Sequence, residues 1–267
     1  MSQLDENAPL VDIQSSPDAR RIPIDKVGVR NIKYPIQVLD CKHGHQHTVG
    51  TLSLTVDLPH QFKGTHMSRF MQVLNEHRNE ISVESIPRIL ERLRERLDAD
   101  NAHFDVTFPF FVCKSAPVTG ESGMMEYECG FRASAGEVKD FVILCNVMVT
   151  TLCPCSKEIS ARGAHNQRGL VSVKVRTNQM VWLEELIEMI ESKASCDLYP
   201  VLKRPDEKWV TERAYDNPRF VEDIVREVAV AFNNDERIVT YEIEAENFES
   251  IHAHNAYALV HRDKREG

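Results

Sequence analysis

Hydrophobic and polar residues alternate one by one over 27–40 (VGVRNIKYPIQVLD) and 47–59 (HTVGTLSLTVDLP). That period, with many β-branched residues, belongs to strands that bury one face. The period then lengthens. In 85–98 (SIPRILERLRERLD), Ile86, Ile89, Leu90, Leu93 and Leu97 recur at helical spacing, with Ser85 placed as a cap and Pro87 in the first turn. A weaker helical pattern runs over 66–77, and 102–114 and 121–134 return to strand-like patterning. The second half repeats this order: strands are expected over 137–152 and 169–177, helices over 180–193 and 218–232, and strands over 237–250 and on through His261. Phe220, Ile224, Val225, Val228 and Phe232 form one side of the last helix. Two strands, two helices and two strands occur twice, which predicts an α+β fold with a four-stranded antiparallel sheet in each half and both helices on one face. Residues 1–25 lack periodicity and are expected to form an arm, followed by one unit over 26–136 and a second over 137–267. Open sheets leave unpaired edges, and their closure into barrels by other copies predicts a homo-oligomer.

Composition narrows the class. The chain of 267 residues is 42% hydrophobic and 27% charged, enough apolar material for a sizeable core. No apolar run is long enough to span a membrane, and the N-terminal stretch is acidic and polar where a secretion signal is basic and then apolar, so a cytoplasmic protein is expected. Seven cysteines at irregular spacings do not make a disulfide framework and agree with a reducing compartment. A formal net charge of -9 opposes nucleic-acid binding, which depends on clustered Lys and Arg. A small anionic substrate remains compatible if cations gather locally.

The chemistry concentrates in CPCSKEISARGAHNQRG, residues 153–169. In an extended segment Cys153 and Cys155 point to the same face. A disulfide across one intervening residue needs a distorted backbone, and no second paired-cysteine motif is present to close a structural zinc site. An open metal site and a nucleophilic thiol are left, against the plainer reading of two small buried side chains. A polar, glycine-bearing loop is a poor place to bury two thiols. His252 and His254 share a face if extended, which suits ligation or acid–base work. His43, His45 and His47 alternate beside a turn, where solvated histidines and phosphate contacts are equally good readings.

Three stretches, IQSSPDARRIPIDKVGVRNIKYPI, TLCPCSKEISARGAHNQRG and FESIHAHNAYA, closely resemble those of the type IB GTP cyclohydrolases, metal-dependent bacterial enzymes that convert GTP and water to 7,8-dihydroneopterin triphosphate and formate at the start of folate and pterin biosynthesis. The likeness runs over nearly the whole chain. It implies the tunnelling fold, with two ββααββ modules per chain and barrels closed by oligomerisation, a homotetramer being the expected form. It implies one divalent ion, Zn²⁺, Mn²⁺ or Fe²⁺, and no organic cofactor. Carried over residue by residue, the metal ligands fall on Cys153, His165, Glu207 and His252, and the guanine-anchoring carboxylate falls on Glu222. His254 and Cys155 are the candidate proton carriers beside them. No G-x-x-x-x-G-K-[ST] loop is present, so the triphosphate falls to side chains such as Lys157, Arg162, Arg168, Lys203, His45 and His47, some of them from a neighbouring subunit. Two rivals stay open on the sequence: an enzyme using Cys153 as a covalent nucleophile on a purine or pterin ring, and a non-catalytic nucleotide-binding oligomer stabilised by metal.

Overall fold

A computed structural model describes residues 12–14, 16–77 and 82–266. The elements in chain order are β1 (Ile24–Asp40), β2 (Gly44–Leu58), α1 (Met67–Glu76), α2 (Ile86–Leu97), β3 (Ala102–Ser115), β4 (Ser122–Ala135), β5 (Asp140–Leu152), α3 (Pro154–Ile159), β6 (Asn166–Thr177), α4 (Leu183–Glu191), α5 (Arg204–Asp216), α6 (Val221–Asn234), β7 (Ile238–Asn247) and β8 (Ala256–Asp263). Every strand and every amphipathic helix read from periodicity is present. The separate sheet expected in each half is not. All eight strands form one antiparallel sheet in sequence order, because β4 pairs with β5 from Glu128↔Asn146 to Ser134↔Asp140 and joins the two four-stranded runs.

Alternation explains the layers. Leu52, Leu54 and Val56 of β2, Phe104, Val106 and Phe108 of β3, and Val171, Val173 and Val175 of β6 point to one face and are buried. Against that face lie the apolar stripes of the helices: Phe70, Val73 and Leu74 of α1, Ile86, Ile89, Leu90 and Leu93 of α2, Leu186, Ile187 and Ile190 of α4, and Ile224, Val225, Val228 and Phe232 of α6. Cys129 and Cys145 sit opposite each other across β4 and β5 inside this core, their Sγ atoms 3.7 Å apart and unbridged. The other face of the sheet carries residues such as His47, Glu128, Lys174 and Glu244. β1 and β8 are its free edges.

Several local expectations change. Ile24 and Asp25 belong to β1, so the arm ends at residue 23; its described part pairs irregularly with the loop after β2, through Asp18 N to Gln61 O at 3.2 Å and Lys63 N to Ser16 O at 3.0 Å. Residues 1–11 and 15 of the expected arm lie outside the described residues. Ser85 occupies the N-cap position of α2, but its hydroxyl turns back to Ser82 O instead of capping. Phe220 precedes α6 as an exposed N-cap and leaves the stripe to the residues that follow it. Two helices, α3 and α5, interrupt the second half where no helix was expected.

A sheet in this order places the β1–β2, β3–β4, β5–β6 and β7–β8 connections at one end and the helix crossovers at the other. The first end holds the histidine and cysteine motifs. A cavity of about 960 Å³ between α2 and the far ends of β4–β6 holds none of them. Among the cations that line it, Arg92, Arg176 and Arg265 are paired with Glu76, Asp140 and Asp263.

Candidate functional site

β5 and β6 pair as far as Leu152↔Asn166, and one further backbone bond, Cys153 N to His165 O at 3.1 Å, carries the ladder to the two residues that matter. Between them the chain leaves the strand. Pro154 occupies the first helical position of α3, where the missing N–H costs nothing, and Cys153 becomes its N-cap, with Ser156 N donating to Cys153 Sγ at 3.5 Å. The shared-face reading of Cys153 and Cys155 therefore fails: Cys155 has turned into the helix and is exposed, while Cys153 is half-buried. Ser156 Oγ accepts from His165 N and donates to Cys153 O, both at 3.2 Å. Gly163, with φ +124°, turns the loop back towards β6. Cys153 and His165 are thus locked across from each other by three hydrogen bonds.

The imidazole is held from behind. His165 Nδ1 lies 2.9 Å from Gln167 Oε1 and 3.7 Å from Glu249 Oε2, and Gln167 Nε2 donates to Thr151 Oγ1 at 2.9 Å. Gln167 and Thr151 point into the helix-covered layer. Beside them Asn247 is buried with Oδ1 unpartnered, and a Cβ on Gly169 would stand 2.7 Å from that oxygen.

Three more segments reach this end. Phe248 N bonds to Arg168 O at 3.0 Å and starts the β7–β8 loop beside β6. In that loop His252 and His254 are exposed and stacked, ring centroids 5.1 Å apart, on a bent rather than an extended backbone. Arg219 N bonds to Leu152 O at 3.0 Å, so the first turn of α6, with exposed Glu222, begins next to Cys153. α5 is pinned by Asp206, whose carboxylate receives Val118 N, Thr119 N, Thr119 Oγ1 and Lys203 N. Burial pushes this carboxyl up, but those hydrogen bonds outweigh it and hold it well below the usual range. Glu207 follows, exposed and without a side-chain hydrogen bond or ion pair among the described residues. One turn on, Thr211 lines a cavity of about 510 Å³ with Tyr215, Gly163, Ala164 and Asn166.

A sequence profile of the type I GTP cyclohydrolase folE2 family matches residues 10–258. The chain belongs to that family. It is 54% identical over 258 residues to the GTP cyclohydrolase FolE2 of Methylobacillus flagellatus, covering 96% of this chain and 97% of the relative. It is 55% identical over 252 residues to that of Desulfosudis oleivorans, covering 93% and 96%. Among solved structures a uricase from Bacillus fastidious superposes with a TM-score of 0.55 at 5% identity, covering 90% of this chain and 93% of the uricase, a likeness of fold alone.

On this cyclohydrolase chain the site residues expected from sequence divide into those brought together and those held apart. Cys153 and His165 are adjacent. His252, His254, Glu207 and Glu222 lie on segments of the same end, yet among the described residues no group of three or more His, Cys, Asp or Glu side chains is gathered as a metal cage. Lys157 turns to α5, its Nζ 2.5 Å from Tyr215 O and 4.4 Å over the Tyr215 ring. Lys203 pairs with Glu121. Arg162 and Arg168 are exposed on and beside the β5–β6 loop. His45 and His47 stand exposed on β2, three strands from β5, which is about 14 Å of lateral separation. Sequence reasoning missed Gln167, Thr151 and Glu249. The spacing His165-x-Gln167 at the start of a strand, which puts both on one face, is the signal that was there. Cys196, which bonds to Thr150 through its backbone, is a structural thiol that burial pushes up to about 11. Among the described residues no helix is long and apolar enough to cross a membrane.

Proposed function

We propose that this chain is a metal-dependent GTP cyclohydrolase whose ion is held by Cys153, His165, Glu207 and His252. The observation that carries the reading is the Cys153–His165 pair, fixed across the ladder end with His165 Nδ1 already engaged and Nε2 left over. The donors fit a divalent ion in chemistry: one thiol, two imidazoles and a carboxylate suit Zn²⁺, and the carboxylate also suits Mn²⁺ or Fe²⁺. Two are set by the scaffold. The other two are exposed on the first turn of α5 and the β7–β8 loop, where closure around a substrate can deliver them. When bound, such an ion supplies hydroxide at neutral pH for attack on C8 of the purine.

The remaining work belongs to side chains. The Glu222 carboxylate accepts from N1–H and the 2-amino group of guanine, a donor pair that adenine lacks. His254, stacked on His252, moves protons as the imidazole opens, formate leaves and the ribose closes onto the ring amine. Cys155, exposed one helical position beyond Pro154, lines the purine or carries a proton. Arg162 meets the triphosphate from the same chain, whereas Lys157 is bound to the Tyr215 carbonyl. His45 and His47, too far across the sheet for their own chain's Cys153, meet the phosphates of a neighbouring subunit. That arrangement asks for the barrel: two ββααββ modules per chain, residues 26–136 and 137–267, closing edge to edge in a homotetramer with a cytoplasmic location.

The covalent alternative is weaker, because among the described residues the only hydrogen bond to Cys153 Sγ comes from Ser156 N, and neither His165 nor any carboxylate hydrogen-bonds the thiol. The test is to incubate the metal-loaded chain with GTP and follow formate release and, after oxidation, pterin fluorescence. Stoichiometric formate and pterin, lost in EDTA and restored by Zn²⁺ or Mn²⁺, is the expected result. Turnover unaffected by chelation contradicts the metal reading, and silence with every metal contradicts the activity.

A further inference from the structure

Thr151, Gln167 and His165 form a short relay of side chains on adjacent strands, running from the helix-covered layer out to the site. Thr151 is 0% exposed and Gln167 9% exposed, so neither exchanges its hydrogen bonds freely with water. Thr151 and Gln167 are direct partners in the β5–β6 register, which fixes their separation through the backbone. We propose that Gln167, itself oriented by Thr151, is a positioning residue that keeps His165 protonated on Nδ1 and leaves Nε2 as the lone-pair nitrogen.

Two hydrogen-bond patterns satisfy the distances. In one, Gln167 Oε1 accepts from a protonated His165 Nδ1 while its amide nitrogen donates to Thr151 Oγ1, each at 2.9 Å. In the other the amide is reversed, donating to a bare Nδ1 and accepting from the threonine hydroxyl. Glu249 decides between them. Its Oε2 is 3.7 Å from Nδ1, and the two side chains are only 13% and 12% exposed. A bare Nδ1 would set its lone pair against that carboxylate with little water to relieve the repulsion, whereas a proton there faces two acceptors. An unrestrained neutral imidazole favours the opposite tautomer, with its proton on Nε2, so the relay works against the ring's own preference. The consequence, which rests on the reading of His165 as a metal ligand, is a ligand nitrogen prepared before any ion arrives.

The test uses the full-length chain stripped of metal and labelled with ¹⁵N, with the His165 ring identified by its loss in His165→Gln. The expected spectrum shows the Nδ1–H tautomer in the native chain, a shift towards Nε2–H in Gln167→Leu, and restoration in Gln167→Glu, which keeps an acceptor at Oε1. Zinc affinity, read by competition with a chelator, is expected to fall about 10- to 100-fold in Gln167→Leu and to recover in Gln167→Glu. A native His165 protonated on Nε2, or a tautomer unmoved by Gln167→Leu, overturns the proposal. If Gln167→Leu does not fold, Thr151→Val with Thr151→Ser as its rescue asks the same question, and an unmoved tautomer in Thr151→Val again overturns it. A shifted tautomer with unchanged zinc affinity supports the relay and removes His165 from the ligand set, so the two readings fail separately.

Discussion

Residues 24–135 and 140–263 run through the same order of strands and helices, and the candidate chemistry lies where the second departs from the first. In the first half, short turns at 41–43 and 116–121 join β1 to β2 and β3 to β4. In the second, the equivalent connections lengthen to 153–165, with α3 inside it, and 248–255, and α5 is inserted between the paired helices. Polarity follows the same division. Of the nine buried polar residues among those described, Asp40 and Ser85 lie in the first half, while Thr151, Gln167, Glu191, Ser195, Asp206, Thr240 and Asn247 lie in the second. Two of them pin irregular backbone to the sheet: Asp206 receives Thr119 N and Lys203 N, and Ser195 Oγ accepts from Leu152 N. The sheet supplies the rim, and the insertions carry the proposed donors.

The sharpest way to break that contrast is to substitute cysteines on both sides of it. Cys153→Ala and His252→Ala are expected to abolish formate release and metal retention together, as measured by turnover and by metal content per chain. Cys129→Ala, in the core beneath β4, is expected to lower the melting temperature while keeping metal. Next in size, Glu222→Gln is expected to retain its ion and lose about 10- to 100-fold of its preference for GTP over inosine triphosphate, which lacks the 2-amino group. Unchanged selectivity in kcat/KM removes Glu222 from guanine recognition.

A smaller effect is expected at Asp206. Its carboxyl is held below the ordinary value of 3.8, so its contribution is present above that pH and is lost as pH falls through the lower folded-state value. Asp206→Asn is expected to lower the melting temperature by several degrees at neutral pH and to flatten the acid limb of the stability profile below about pH 4. A melting curve superimposable on the native one at both pH values contradicts the pinning of α5. The smallest effect is expected in the first half, where Arg132→Ala removes an exposed pair with Asp105; a change within about 0.5 kcal/mol in denaturant unfolding is expected.

How much of this was legible beforehand follows the same line. α2 and α6 announce themselves because four residues of the first and six of the second fall into the core at helical spacing. α5 does not, because it buries only Asp206 and Ala214 and is fastened by hydrogen bonds rather than by an apolar stripe. α3 buries none of its residues, and the extended reading of Cys153-Pro154-Cys155 fails because Pro154 favours the first position of a helix as readily as a strand end. The join of β4 to β5 is a choice of partner that alternation alone cannot reveal. Cys153 and His165 stood out by their chemistry. Glu207 and Glu222 were visible only through family resemblance, since an exposed acid in the first turn of a helix is otherwise ordinary. Gln167 and Thr151 carry no charge and match the strand alternation, so beyond the His165-x-Gln167 spacing it is the contact of Gln167 with His165, and of Thr151 with Gln167, that singles them out.

The account turns on sulfur and nitrogen from opposite sides of one ladder end meeting the same ion. X-ray absorption of the zinc-loaded, full-length chain measures this directly. The expected first shell contains one sulfur at about 2.3 Å with nitrogen and oxygen donors at about 2.0–2.2 Å, the sulfur being absent in Cys153→Ala. A native shell made wholly of nitrogen and oxygen, or a sulfur that persists in Cys153→Ala, would contradict it.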